Sequence, residues 1–511
     1  MIKLQMKNNE KKINLKFDTW VILVLVFLCI GFTIRGFQND TFYSIKIGQN
    51  ILKHGVDMKE HFSWIAGITT YPYPHWLYDV FIYGIYSLGG FTAIYISSAV
   101  LYSITIVLLY YTITYVTKNR LLAFILSLIA IFLMSPYITA RAQTISYICF
   151  ILELLLLEKF TEKPKMKYGI FLFLIALLIV NTHVAVFPFF FILFLPYLAS
   201  NFFGYIKEKN EKRIDAYKNR HDIKESKLIV ENSKTTKYLI IVIILCLLTG
   251  FLTPTGLTPF VYYIKTVAGN SMDYIGEHAP FSPSYNKSFY VMLFAILALL
   301  LGTDTKIKLR YVFLLAGLTL LTFMSKRNFA LFTILGLIPI AKLFSDYIAK
   351  RIPNFSSIIL FHITVWYAMI ITLISFSLTA FVAFSSNSRY DYLDSKKYPK
   401  DAADYILENL DVKNIKLFNE YNFGSYLLYR NIPVFIDSRA DLYTKEFSGQ
   451  TFDVFDDFMS ITDSYRTTFN YYGVTHLLIY RNNNLDKLVR ENSNYKRLYI
   501  DDKFIIYEKT K

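Results

Sequence analysis

The stretch WVILVLVFLCIGFTIRG, residues 20–36, decides the fold of this chain. It is an apolar run of about the length that a helix needs to enter and cross a bilayer. Five lysines precede it and no small-residue cleavage site follows it, so we predict a retained first transmembrane helix. By the positive-inside rule, residues 1–19 are then a cytoplasmic tail, and Asp40 emerges on the opposite side of the membrane.

The rest of the chain repeats this pattern. It has 511 residues, 54% of them hydrophobic and 18% aromatic, with a mean hydropathy of +0.37, which is more apolar surface than a soluble core needs. We therefore predict a polytopic α-helical membrane protein with about 11 transmembrane helices. The predicted spans are 20–36, 91–116, 121–135, 143–160, 167–181, 184–200, 237–252, 287–303, 310–324, 328–345 and 356–385.

The charged residues fit this topology. The formal net charge is +16, but the Lys and Arg lie mainly in linkers that the positive-inside rule assigns to the cytoplasm, above all 201–236. No nucleic-acid partner is therefore expected, and the residues after 385 are placed outside a plasma membrane that the chain crosses many times. Each of the three cysteines falls in a predicted span, so no disulfide framework is expected.

Three outer segments follow from these spans. The transmembrane domain, 20–385, contains two long outer loops, 37–90 and 253–286, and an extracytoplasmic domain is predicted for 386–511. In the first loop, Trp76–Leu88 is too short to span a bilayer and is predicted to be an amphipathic helix at the outer interface. The last domain is predicted to be α/β, with a helix at 399–410, strands at 414–418, 432–436 and 473–480, and a closing hairpin around Asp501 and Asp502.

Five polar groups lie at the outer ends of apolar segments, where a membrane protein tolerates them least. They are Asp40, Arg141, His183, Glu277 and Arg327. Ionisable groups at a membrane boundary are functional candidates by default, particularly when they emerge on one side. Their clustering predicts a site on the outer face, with His75 interpreted as a headgroup-level anchor at the edge of the interfacial helix.

The arrangement of these segments resembles the GT-C superfamily of integral membrane glycosyltransferases. A first helix leads into a long outer loop that opens with Asp40, and about 11 spans precede an outer soluble domain. Three stretches are similar to oligosaccharyltransferase catalytic subunits: DYIGEHAP (273–280), MSKRNFALF (324–332) and NEYNFGSYL (419–427). Two features of that family are absent, because Asn419 to Gly424 replace its W-W-D-Y-G motif, and SPYITARAQ (135–143) offers Arg141 where it has a second acidic pair.

The resemblance implies transfer of a sugar or glycan from a polyprenyl-phosphate-linked donor to a glycan, lipid or protein acceptor. Such chemistry needs a carboxylate to activate or orient the acceptor and cations to stabilise the departing phosphate. Asp40 is the predicted catalytic residue. The predicted donor-phosphate ligands are Arg327, Lys326, Arg141 and His183; the predicted metal or acceptor ligands are Glu277, His278 and Glu60; the predicted acceptor ligands of the last domain are Glu420, Tyr421, Asp437 and Arg439.

Several alternatives stay open at this stage. Carboxylates beside an imidazole are candidate ligands for Mg²⁺ or Mn²⁺, the only cofactors that the sequence suggests. Asp437 and Arg439 follow an apparent buried strand, where ligands gather in open α/β sheets, but the two could equally form a pair that fixes their loop. A transporter or flippase for lipid-linked glycans, or a degenerate scaffold of the same superfamily, are the competing functions. The absence of a P-loop and of a G-x-S-x-G motif disfavours pumps and hydrolases.

The topology predicts the outcome of a labelling experiment. Single cysteines at positions 220 and 450 of a cysteine-free variant lie on opposite sides of the membrane in this prediction. An impermeant thiol reagent added to intact cells should label position 450 and spare position 220 until the cells are lysed. Equal labelling of the two positions would contradict the predicted orientation.

Overall fold

A computed structural model describes residues 2–34, 36–211, 213–214, 226–231, 235–284, 286–352, 372–377 and 392–510, with side chains from residue 17 onward. This part of the chain is mostly helical. The helices as far as residue 351 are α1 (Ile2–Phe32), α2 (Asn39–His54), α3 (Trp76–Thr117), α4 (Arg120–Met134), α5 (Gln143–Glu162), α6 (Met166–Thr182), α7 (Phe187–Ile192), α8 (Leu195–Lys209), α9 (Thr236–Leu248), α10 (Thr258–Ala268), α11 (Ser271–Tyr274), α12 (Lys287–Gly302), α13 (Leu309–Met324), α14 (Phe329–Leu331) and α15 (Leu337–Arg351).

Short turns extend several of these helices. Five are 3₁₀ or π turns, at Ser135–Tyr137, Val184–Val186, Thr249–Phe251, Lys326–Asn328 and Phe332–Gly336, and a two-residue parallel pair joins β1 (Leu228–Ile229) to β2 (Ile307–Lys308). Within the described residues, four continuous helical stretches are long and apolar enough to cross a membrane: Trp76–Thr117, Arg120–Tyr137, Val184–Lys209 and Lys326–Arg351. Shorter apolar helices occupy five more of the predicted spans, 20–36, 167–181, 237–252, 287–303 and 310–324. The chain therefore has the character of a membrane protein.

The number of spans stays a prediction. The last predicted span, 356–385, lies outside the described residues except for the helical stretch 372–377. The predicted boundary at residue 386 also lies outside them.

A backbone break divides the interfacial helix from the first long span. The α3 helix is continuous in sequence, but Gly89 and Gly90 leave helical geometry, with φ of −169° and +61°. The positive φ of Gly90 is a conformation that residues with a side chain adopt only at a cost. This break separates Trp76–Leu88 from the span that follows. It agrees with the prediction that Trp76–Leu88 is too short to cross the bilayer and forms a helix of its own.

The α2 helix carries Asp40 in its first turn, and half of its residues are buried. It packs between the start of α3 and the C-terminal region, and its approach to α3 is close. A Cβ on Gly48 would lie 2.0 Å from the carbonyl oxygen of Asp79, so only glycine permits this contact. The position of Asp40 is thus set by helix packing on two sides.

The C-terminal region is α/β. Its elements are α16 (Lys400–Asn409), β3 (Leu417–Asn419), α17 (Tyr421–Tyr429), a 3₁₀ turn (Ala440–Tyr443), α18 (Lys445–Ser448), α19 (Val454–Met459), α20 (Ile461–Tyr472), β4 (His476–Tyr480), α21 (Asn484–Arg490), β5 (Tyr495–Ile500) and β6 (Phe504–Lys509). The sheet order is β3-β4-β6-β5, with β3 parallel to β4 and the other pairs antiparallel. The predicted helix at 399–410 and the closing hairpin are both present.

The predicted strand at 432–436 is wrong. This segment is buried, but it makes only one parallel bridge, between Val434 and Ser63 of the loop of residues 37–90. The side chain of Asn419 accepts a hydrogen bond from the Phe435 N–H (2.8 Å) and donates one to the Ile436 carbonyl (2.7 Å). A side-chain amide therefore satisfies the backbone groups that a strand partner would satisfy. A buried apolar run is compatible with a strand and with a covered loop, so the sequence pattern alone does not distinguish the two.

One hydrophobic core joins the C-terminal region to the loop of residues 37–90. Phe42 and Ile45 of α2 belong to the same buried cluster as Phe418, Ile436 and Leu478. A second buried cluster fills the space between the membrane helices. The C-terminal region therefore completes its core with residues that lie more than 300 positions earlier in the chain.

A buried ion cluster locks the same two parts together. Arg439 lies 2.6 Å from Glu60 and 2.7 Å from Asp437, and the exposed fraction of each of the three side chains is 3% or less. Tyr443 donates to Asp437 (2.7 Å), and the guanidinium carbon of Arg439 lies 4.9 Å from the centre of the Tyr71 ring. One guanidinium serves both carboxylates, and Glu60 also accepts hydrogen bonds from the Phe62 and Ser63 N–H groups. Pairing together with such hydrogen bonds is the condition for burying charges.

Removing the cation should destabilise the protein. Arg439→Gln leaves two carboxylates buried without their partner, which costs about 3–5 kcal/mol in comparable clusters. Thermal unfolding in detergent should show a clearly lowered Tm, whereas Arg497→Gln, the same change at an exposed position of β5, should leave it near the wild-type value. Equal Tm values for the two variants would contradict the structural role of the cluster.

Candidate functional site

Arg141 joins two carboxylates that come from distant parts of the chain. Its Nη2 lies 2.7 Å from Oδ2 of Asp40, and its Nη1 lies 3.2 and 3.3 Å from the two carboxylate oxygens of Glu277. The same Nη1 is 3.2 Å from Oε1 of Gln38. The side chains of Arg141 and Asp40 are mostly shielded, with exposed fractions of 23% and 19%, while Glu277 is about half exposed at 48%.

Arg327 is held next to this group by backbone pairing. The segment that carries Glu277 runs beside the turn after α13: Arg327 N–H donates to the Glu277 carbonyl (3.2 Å), and Lys326 N–H donates to the Ala279 carbonyl (3.0 Å). The guanidinium of Arg327 lies 3.1 Å from Nε2 of His278. The two stretches that suggested the family, 273–280 and 324–332, are thus direct neighbours.

Two histidines lie beside these charged side chains. His183 follows the C-terminal end of α6, with its Nδ1 2.8 Å from the Ser146 hydroxyl, and its ring centre lies 5.1 Å from that of His75. The Nδ1 atom of His75 is buried and has no hydrogen-bond partner among the described residues. A polar atom of this kind is unusual in a finished protein interior and is suited to meeting a ligand.

These side chains face two connected cavities. The smaller, of about 40 Å³, is lined by Asp40, Tyr43, Ser44, His75, Tyr78, Arg141, Ala142, Gln143, His183 and Arg327. The larger, of about 160 Å³, shares Asp40, Tyr43, His75, Arg141, His183 and Arg327. It continues past His278 to Tyr262 and Thr266 of the loop of residues 253–286 and to Ser438, Arg439 and Asp441 of the C-terminal region.

The charges in the cavity are fixed by their surroundings. Burial lowers the pKa of His75 to about 3 and that of His278 to about 4, and the nearby Arg327 adds to both effects. Burial also lowers the pKa of His183. Although burial alone would raise the pKa of Glu277, Arg141 and Arg327 outweigh it and lower that pKa. The imidazoles are therefore neutral and Glu277 is ionised at neutral pH.

The structure brings together six of the residues predicted from the sequence. Asp40, Arg141, His183 and Arg327 line the cavities, Glu277 pairs with Arg141, and His278 contacts Arg327. Lys326 is adjacent in sequence and is held through its backbone, but it is not among the described residues that line the cavities. The clustering inferred from topology is thus found in three dimensions.

The other predicted ligands have structural partners. Glu60 and Asp437 are enclosed in the buried cluster with Arg439, and only Arg439 also reaches the larger cavity. Glu420 accepts a hydrogen bond from Asn483 (2.7 Å), and burial raises its pKa to about 7. Tyr421 packs against Phe455. We therefore assign these contacts first to the fold, and an acceptor role for Glu60, Glu420, Tyr421, Asp437 and Arg439 stays untested.

One side of the site is not predicted from the sequence. His75 was interpreted as an interfacial anchor, yet its ring lines both cavities. Tyr43 and Asp441 were also not singled out as ligands. Asp441 accepts hydrogen bonds from Tyr262 (2.9 Å), Thr266 (3.1 Å) and Ser271 (2.7 Å), which fixes the loop of residues 253–286 against the C-terminal region. The available signal was the pair Pro72 and Pro74, which precede His75 and predict a rigid turn.

The donor set fits a divalent metal poorly. Mg²⁺ or Mn²⁺ needs oxygen ligands at about 2.0–2.2 Å that are free of other cations. Here Asp40 and Glu277 both face Arg141, His278 faces Arg327, and Glu60 faces Arg439. No group of three or more His, Cys, Asp or Glu side chains suited to a metal occurs in the described part of the chain.

Comparison with known proteins supports the fold. No protein-family model matches the chain, and no curated protein matches it. Among solved structures, the chain is similar to the archaeal oligosaccharyltransferase AglB from Archaeoglobus fulgidus, determined in complex with an inhibitory peptide and a dolichol-phosphate. The TM-score is 0.56 at 11% sequence identity, over 91% of this chain and 69% of that one.

At this identity the likeness concerns the fold alone. It confirms that the resemblance predicted from the sequence holds for the architecture of helices and C-terminal region. The roles of individual side chains rest on the geometry described above.

The neutral histidines predict a pH dependence of stability. An imidazole in the unfolded chain titrates near 6.5, whereas His75 in the folded protein has a pKa of about 3. Between those two pH values the unfolded state binds more protons than the folded state. His75 therefore lowers the free energy of unfolding as the pH falls below about 6.5 and leaves it unchanged above that pH. Thermal unfolding at pH 7.5 and 5.5 should show a loss for the wild type of at most about 1.4 kcal/mol per histidine.

The matched variants isolate the group responsible. His75→Asn should reduce the loss of stability between the two pH values, and His54→Asn, at an exposed position of α2, should not. If both variants keep the wild-type pH dependence, His75 is not buried in its neutral form.

Proposed function

We propose that this chain is a membrane glycosyltransferase. In this proposal it transfers a sugar or glycan from a polyprenyl-phosphate-linked donor to an acceptor on the outer face of the plasma membrane, with its N-terminus in the cytoplasm. The observation that carries the proposal is the convergence of Asp40, Arg141 and Arg327 on one cavity at the ends of membrane helices. Transfer from a phosphate-linked donor needs a carboxylate for the acceptor and cations for the departing phosphate, and these three side chains supply both.

An apolar groove next to the cavity supports a lipid-borne donor. A space of about 230 Å³ lies between the α7–α8 segment and α13, lined by Phe189, Ile192, Leu193, Leu195, Pro196, Ala199, Phe313, Leu314, Gly317, Leu318 and Leu321. Phe189 and Leu321 are each six residues along the chain from a cavity residue, His183 and Arg327 respectively. A polyprenyl chain in this groove would hold its phosphate near the two arginines.

In the proposed reaction, the carboxylate of Asp40 and the guanidinium of Arg327 have different roles. The acceptor oxygen attacks the anomeric carbon, the bond from that carbon to the phosphate oxygen breaks, and the phosphate leaves with the electron pair. Asp40 orients the acceptor hydroxyl and takes its proton. Arg327, whose guanidinium contacts a neutral imidazole, stabilises the charge that develops on the phosphate.

The acceptor would enter through the larger cavity. Its walls carry Tyr262, Thr266, Ser271 and Ser438. The first three hydroxyl groups donate to Asp441, and their oxygens can still accept a hydrogen bond from a polar substrate. The structure of AglB was determined with a peptide and a dolichol-phosphate, which is consistent with a lipid-linked donor here. We keep glycan, lipid and protein acceptors open, because the residues that stand at the family's acceptor motif pack within the C-terminal region.

Substitution of Asp40 tests the catalytic role. The purified protein in lipid nanodiscs would be supplied with polyprenyl-phosphate-linked sugars and cell-envelope acceptors, and the transferred sugar measured by mass spectrometry. Asp40→Asn keeps the shape and loses the charge, so turnover should fall by roughly 10²- to 10⁴-fold. Asp502→Asn, the same change at the exposed hairpin tip, should keep wild-type turnover. Near-normal transfer by Asp40→Asn would show that the carboxylate is structural.

Substitution of Arg327 tests donor binding. Arg327→Lys replaces a planar fork by a point charge, and the lost charge-assisted hydrogen bond should weaken donor affinity by roughly 10- to 100-fold. The control is Arg497→Lys on the exposed side of β5. Unchanged donor affinity would remove Arg327 from the phosphate site. Translocation of the labelled lipid without any covalent transfer would favour a flippase in place of the enzyme.

A further inference from the structure

Arg141 occupies the position that a bridging metal ion would need. We infer that its guanidinium is a built-in cation that replaces a divalent metal, so that the Asp40–Glu277 pair binds no metal and the protein works without one. The catalytic part of this inference rests on the proposed function. The metal-binding part concerns only the side chains of this chain.

The geometry of the contacts supports this assignment. One terminal nitrogen of Arg141 faces Asp40 at 2.7 Å, and the other faces Glu277 at 3.2 Å. A planar guanidinium presents donors in two directions and can therefore serve two carboxylates at once. Burial lowers the pKa of Arg141, but Asp40 and Glu277 outweigh burial and raise it above its usual value, so the cation stays charged.

The electrostatics of the cavity oppose a divalent ion between Asp40 and Glu277 while Arg141 is in place. A divalent ion between Asp40 and Glu277 would lie within a few ångströms of Arg141 and near Arg327, and like charges at that distance repel strongly in a shielded site. His278, the remaining nitrogen donor nearby, is already the acceptor for Arg327. A metal could bind only after Arg141 had left both carboxylates.

The charge balance also suits a phosphate-bearing donor. Two carboxylates and two guanidiniums face each other, and His75 and His183 add no charge at neutral pH. The incoming phosphate therefore adds its negative charge to a neutral cluster that contains two fixed cations. During transfer Arg141 would hold Asp40 in place as a positioning residue and contribute positive charge beside the leaving phosphate.

Binding of Mn²⁺ tests the inference without any enzyme assay. Electron paramagnetic resonance of the purified protein in nanodiscs should detect no Mn²⁺ bound to the wild type beyond that bound to Asp40→Asn. Arg141→Ala frees the two carboxylates and should bind Mn²⁺, whereas the double variant Arg141→Ala/Asp40→Asn should not. Arg141→Lys keeps a cation in place and should bind none.

Several outcomes would overturn the inference. Mn²⁺ bound by the wild type and lost in Asp40→Asn would show a metal site, and this comparison decides the question even if Arg141→Ala fails to fold. A folded Arg141→Ala protein, with a wild-type elution profile, that binds no Mn²⁺ would show that Arg141 does not occupy a latent metal site.

Activity provides an independent second readout. Wild-type transfer should persist in excess EDTA, while Arg141→Ala should lose roughly 10²- to 10³-fold and regain part of it with added guanidinium or Mn²⁺. Inhibition of the wild type by EDTA and its reversal by Mn²⁺ would overturn the inference. If the wild type transfers no sugar from any donor, the proposed function fails, and the Mn²⁺ measurements still decide whether Arg141 takes the place of a metal.

Discussion

The structure depends on the buried contact of Arg439 with Glu60 and Asp437. Charges removed from water are tolerated only when their partners are in place, and here one partner comes from the loop of residues 37–90 and the other from the C-terminal region. Among the described residues, Glu60 meets a cation only at Arg439, so the loop of residues 37–90 can bury this charge only when the C-terminal region is in place. Their union fixes the surface against which α2 packs, and α2 in turn sets the position of Asp40.

The location of the cavity follows from the bilayer. Charged groups are costly in the hydrocarbon region, so a cluster with two carboxylates and two guanidiniums forms where helices end and loops begin. Asp40, Arg141, His183 and Arg327 all lie within a few residues of a helix terminus. The helices therefore supply rigid positions, and the short segments between them supply the chemistry.

The sequence predicted the features that depend on local pattern. Apolar runs located the helices, the shortness of Trp76–Leu88 separated it from the following span, and topology placed five polar groups together. The GT-C resemblance is supported at the level of the fold. What the sequence could not supply were the partners: a buried apolar run at 432–436 can be a strand or a covered loop, and only the three-dimensional structure shows that Asn419 satisfies its backbone.

The same limit applies to the charged residues. Arg141 could be assigned to a phosphate from its position, but its contact with two carboxylates depends on how three distant segments meet. Asp437 and Arg439 are predicted from the sequence either to hold a ligand or to pair with each other. The structure shows the pair and adds Glu60 to it, a partner that no local pattern indicates. His75 was missed because a histidine before an interfacial tryptophan has a simpler explanation as an anchor.

The core shared between α2 and the C-terminal sheet has a consequence for biosynthesis. A ribosome makes Phe42 and Ile45 long before it makes Phe418 and Leu478, so the apolar face of the loop of residues 37–90 stays uncovered while most of the membrane helices are inserted. Contacts this distant in sequence form late and leave intermediates prone to wrong association. A chain that stops before its last strands would therefore keep an unfinished surface outside the membrane, open to chaperones and proteases.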